Sequence, residues 1–61
     1  MKFVLLMTAM IAGQAQDYQI PMSPVYVHDM ASCQYAASRI IEDYQYSQPG
    51  FQLISARCVR G

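Results

Sequence analysis

The chain has 61 residues and two cysteines, Cys33 and Cys58, and that pair limits what it can fold into more than any other feature. A chain this short buries too small a share of its surface to offset the ordering of its backbone with ease, so a covalent or metal staple is expected. An even cysteine count points to a structural disulfide. By the chain-entropy relation, closing a loop of about 26 residues stabilises the fold by roughly 3.5 kcal/mol. Reduction is therefore expected to cost most of the fold.

The opening residues read as an export signal. Met1 and Lys2 give a short positive end, Phe3 to Ala12 an apolar run, and Gly13 and Ala15 small side chains before a cut. Residues 1–15 are thus expected to be a secretory signal peptide, leaving 46 residues that begin at Gln16. A membrane anchor is the less favoured alternative, because spanning a bilayer takes about 20 apolar residues and this run is about half as long. The expected address is the periplasm or the extracellular space.

Beyond that point the charge is nearly balanced. Arg39, Arg57 and Arg60 oppose Asp17, Asp29, Glu42 and Asp43, a net charge of −1 with His28 neutral. No basic stripe suggests a nucleic-acid partner. No long apolar or basic amphipathic segment suggests membrane insertion after the signal is removed.

Residues 16–23 (QDYQIPMS) are polar, carry Pro21 and are followed by Pro24, so an extended arm is expected. Residues 24–61 are expected to form a β-α-β mini-domain of the α+β class. Pro24 to His28 alternates as a short strand, with Val25 and Val27 on one side and Tyr26 and His28 on the other. Asp29 suits an N-cap. Met30, Cys33, Ala37, Ile40, Ile41 and Tyr44 then recur at helical spacing. Pro49 and Gly50 stop the helix and suit a type II turn. Phe51 to Val59 reads as the return strand, with Ile54, Ala56 and Cys58 on one face.

With the two strands parallel, the start of the helix and the end of the return strand fall at the same end of the unit, where Cys33 and Cys58 stand. The lengths agree. Cys33 to Tyr44 spans about 17 Å as helix, and Phe51 to Cys58 about 23 Å as strand. Ile54 and Ala56 are expected to press on Ala37, Ile40 and Ile41.

The export signal, the helix opening with Cys33, Ala36 and Ala37, the Pro49-Gly50-Phe51 turn and the Ala56-Arg57-Cys58-Val59 ending resemble the small single-disulfide exported proteins of bacteria and phages. The resemblance covers Met30 to Val59. It implies a fold and no activity.

Chemistry is sparsely represented. The C-x-x-C spacing of a redox dithiol is missing, and His28, Asp29, Cys33 and Cys58 lack the close ligand pairs of a structural zinc site. Glu42 and Asp43 are neighbours on a helix beside Arg39, which is not the arrangement of a catalytic carboxylate pair. No catalytic residue, cofactor or metal is expected. Five tyrosines are many for this length, and Tyr18, Tyr35, Tyr44 and Tyr46 are the candidate partner-binding residues, because tyrosine combines contact area with a hydrogen bond. The expected function is a non-enzymatic binding or modulator protein of the cell envelope, encoded by a bacterium or a phage, with an envelope or extracellular protein as partner. The alternative is a secreted toxin or antimicrobial-type peptide, which the charge balance disfavours.

Overall fold

The computed structural model describes residues 2–61. Three strands and one helix follow the order β1 (Phe3–Ile11), β2 (Gln14–Pro21), α1 (Met30–Ser47) and β3 (Gln52–Arg60). The sheet order is β2-β1-β3, and β1 pairs antiparallel with both neighbours. This is an α+β fold, but not the parallel β-α-β unit expected from the sequence.

The largest difference from the sequence expectation concerns residues 1–15. The apolar run expected to be a signal peptide supplies the central strand, and its alternate side chains Phe3, Leu5, Met7 and Ala9 are buried under the helix. An apolar run of about ten residues fits a leader or a strand paired on both sides equally well, because both are apolar without a polar face. Gly13 also has a different role. Ala12 and Gly13 form a two-residue connection between β1 and β2, with φ of 53° and 82°. Positive φ at both positions is the type I′ geometry that matches the twist of a hairpin.

That turn sends the chain straight back. Residues 16–21 of the expected extended arm lie within β2, with Tyr18 opposite Met7 and Ile20 opposite Leu5. The polar residues of β2 suit a sheet edge, where one side of the strand meets water.

Pro24 to His28 is not a strand. Ser23 C=O accepts from the N–H groups of Tyr26 at 3.2 Å and Val27 at 2.8 Å. Pro24 stands at the second turn position, which its fixed φ favours. Val27 is buried while Val25 is 76 % exposed, so the two do not share a face.

The helix begins as expected. The Asp29 side chain accepts from the Ser32 N–H at 2.8 Å, and the Ser32 hydroxyl accepts from the Asp29 N–H at 3.1 Å, a reciprocal cap. Of the apolar stripe, Cys33 and Ala37 are buried and Ile40, Ile41 and Tyr44 pack on the core. At the far end, the Phe51 N–H donates to Gln48 C=O at 3.1 Å and Gly50 has φ of 80°, as in a type II turn.

The disulfide joins Cys33 in the first turns of α1 to Cys58 near the end of β3, with Cα atoms 6.3 Å apart. The register shift between Thr8 and Ala9 leaves Ile54 without a partner on β1. Ile54 is consequently 56 % exposed rather than pressed on the helix.

Candidate functional site

The helix lies over β1 and β3. Side chains fill the space beneath it unevenly. Under the middle of α1, Leu5 and Ala37 close the core, but toward the outer side Ala56 and the flanks of β3 stay exposed. A groove of about 540 Å³ results. One wall is helical, formed by Met30, Gln34, Ser38 and Ile41 at spacings of four, four and three residues. The other wall is Ala56 and Cys58 of β3.

Both walls are fixed. At one end the Cys33–Cys58 bond ties helix to strand. At the other, Tyr44 packs edge-on against Phe51 with ring centroids 5.8 Å apart, and against Tyr18 at 5.4 Å. Edge-to-face pairs of this kind add about 0.5–1.5 kcal/mol each beyond area burial. The groove is therefore held open between two anchors.

The candidate tyrosines divide accordingly. Tyr18 and Tyr44 are half-buried and join the core. Tyr35 and Tyr46 are exposed, at 67 % and 94 %, and so is Tyr26 at 79 %, which its place in the sequence pattern does not single out. These three do not line the groove. The groove residues themselves are not apparent from the sequence. Met30 and Ile41 belong there to an apolar stripe that reads as core, and Gln34 and Ser38 carry no signal of their own.

The opposite face of the sheet carries a shallow basin of about 510 Å³ that includes Leu6, Thr8, Asp17, Ser55 and Arg57. Thr8 Oγ1 donates to Asp17 Oδ1 at 2.8 Å across β1 and β2. Arg57 lines both this basin and the groove, and so stands on the rim between the two faces.

Elsewhere the electrostatics are local. The Ser32 backbone N–H, followed by the Ser32 hydroxyl and the nearby His28, holds the Asp29 carboxyl below its usual range. His28 Nδ1 is 3.7 Å from Asp29 Oδ2, both at the surface. Among the described residues there is no free cysteine and no group of three or more side chains placed to hold a metal ion. Among them, too, no helix is long and apolar enough to cross a membrane. No family model, curated protein or solved structure matches this chain.

Proposed function

We propose that the protein is a non-enzymatic binding or modulator protein of the cell envelope or the extracellular space, encoded by a bacterium or one of its phages. The observation that carries this reading is the groove between α1 and β3. Its walls are braced at both ends, its lining mixes apolar with amide and hydroxyl groups, and its only charged residue is Arg57. Such a lining suits recognition, with apolar surface for contact and a few polar groups for orientation. It offers no carboxylate, imidazole or free thiol to move a proton or attack a bond.

The disulfide supports an oxidising compartment, since such bonds persist outside reducing cytosol. Export in this reading leaves Phe3–Ile11 in place, because a cut after Ala15 would remove the central strand.

The test is capture from envelope extract by the full oxidised chain, alongside Gln34→Trp, which fills the groove from an exposed helix position. The expected result is a protein recovered by the wild type and lost with Gln34→Trp. Nothing above background, or equal recovery by both, would overturn the reading.

A further inference from the structure

The groove has a second property besides its shape: its floor is the unpaired edge of a sheet. β3 is the last strand in the order β2-β1-β3. The Gly61 N–H donates to Lys2 C=O at 2.8 Å. In an antiparallel ladder successive residues direct their backbone groups to alternate sides. Val59 and Arg57 therefore point toward β1, and Arg60, Cys58 and Ala56 point away from it. Of these three, Ala56 and Cys58 line the groove together with Met30, Gln34 and Ile41 of the helix.

Resting on the binding reading above, we infer that the groove takes an extended peptide as a fourth strand, added along β3 and covered by α1, and that the peptide alternates apolar and acidic residues. Main-chain bonds to a free edge supply affinity, and pockets for alternate side chains supply selectivity. The length fits. Met30 to Ile41 spans about 17 Å of helix, which matches about five residues of strand. Side chains pointing to the helix meet Met30, Ala37 and Ile41 and should be apolar. Those pointing the other way pass Arg57 on the rim and should be acidic.

Charge also argues against a second copy as the occupant. β3 carries Arg57 and Arg60 and no acid. Pairing two β3 edges antiparallel gathers the guanidiniums of both copies along one short ladder, and like charges across a pair destabilise it. Pairing β3 with the β2 edge of another copy is head-to-tail and does not close, so it would yield fibres.

The test is fluorescence anisotropy of the full oxidised chain with labelled, end-capped hexapeptides. The probes are (Val-Glu)3, (Val-Lys)3, and (Val-Glu)3 N-methylated at the residues whose N–H groups would face β3. Saturable binding of (Val-Glu)3 is expected, with the lysine and N-methylated peptides each weaker by about tenfold or more. Arg57→Glu should reverse the preference between (Val-Glu)3 and (Val-Lys)3. Ala56→Pro removes an N–H that points away from β1, so the sheet is retained and (Val-Glu)3 binding is lost. Circular dichroism checks the fold, and should Ala56→Pro fail to fold, the N-methylated probe decides alone.

Absence of (Val-Glu)3 binding, equal binding of the N-methylated probe, a preference untouched by Arg57→Glu, or concentration-dependent fibres would each overturn the inference. If the peptides fail while the envelope extract still yields a partner that Gln34→Trp abolishes, strand addition falls and the binding reading stands.

Discussion

Residues 3–21 and residues 30–60 are each built from neighbours in sequence, yet they are held by opposite means. The first is a hairpin whose strand β1 buries four side chains on one face and pairs on both sides. The second is a helix, turn and strand in which only Cys33 and Ala37 of α1 are buried and no residue of β3 is. Apolar burial organises the hairpin, and a covalent bond compensates for thin packing in the helical part. The groove exists because of that thinness: a fuller set of side chains on β3 would close it.

Removing residues 1–15 should break the comparison most completely. The remaining chain lacks Phe3, Leu5, Met7 and Ala9, half of the buried apolar residues, and β2 and β3 lose the strand that joins them. A body of this size has no reserve to absorb such a loss. The full chain should unfold cooperatively in urea, and the truncated chain should show no transition and a coil-like circular dichroism spectrum. Leu5→Ala, a milder form of the same test, should cost about 2–5 kcal/mol. A cooperative transition in the truncated chain would show that β1 is dispensable.

Next in size is the disulfide. Replacing both cysteines with serine should lower stability by about 3.5 kcal/mol, from loop closure over a sequence separation of 25. The loss should fall unevenly. Hydrogen exchange should quicken in α1 and β3 more than in the β1–β2 hairpin, because the bond joins those two elements directly and touches the hairpin only through them. Uniform acceleration would mean that both halves share one source of stability.

How far each half was legible follows from the same contrast. The helical half announced itself locally: Asp29 as cap, an apolar stripe at helical spacing, Pro49-Gly50 as a type II turn, and cysteines at the matching end. The cap, the stripe and the turn each act within a few residues, and all of these signals, the cysteine pair included, survived in the structure. The hairpin half did not. Its decisive property is that β1 lies between two strands, a long-range fact, and a strand buried in this way has the same composition as a leader peptide. Met30 and Ile41 were legible as apolar but not as groove, since the opening beside them depends on how β3 lies against α1, a long-range fact. Tyr18 and Tyr44 were legible as aromatic, and whether they packed or stayed free was decided by the hairpin that places Tyr18 beside Tyr44.

The hairpin can be tightened at its turn. Ala12 has φ of 53°, a region where a Cβ atom costs about 1 kcal/mol or more and which glycine or asparagine tolerates. Ala12→Asn should therefore raise stability by about 0.5–1 kcal/mol in urea unfolding, with no change in the groove. A neutral or destabilising result would show that the turn relaxes at no cost.

The smallest effect should come from the cap that starts the helical half. Asp29 is exposed, so its contribution is screened by solvent. Its direction is nonetheless fixed. The Ser32 N–H donates to the carboxylate, so folding lowers the Asp29 pKa from its ordinary 3.8. A carboxyl with a lowered folded pKa binds protons more weakly when folded than when unfolded. It therefore stabilises the fold above the unfolded value, and the contribution fades as pH falls through 3.8 and is gone below the lowered pKa. The amide introduced by Asp29→Asn still accepts from Ser32 and keeps the cap, but it does not titrate. Comparing urea midpoints of wild type and Asp29→Asn from neutral pH down to about pH 2 isolates this one carboxyl from Asp17, Glu42 and Asp43, which are present in both proteins. The wild type should lose its advantage only in the acidic window. A constant difference at every pH would mean that Ser32 caps the helix by geometry alone, leaving the disulfide as the principal anchor at that end of α1.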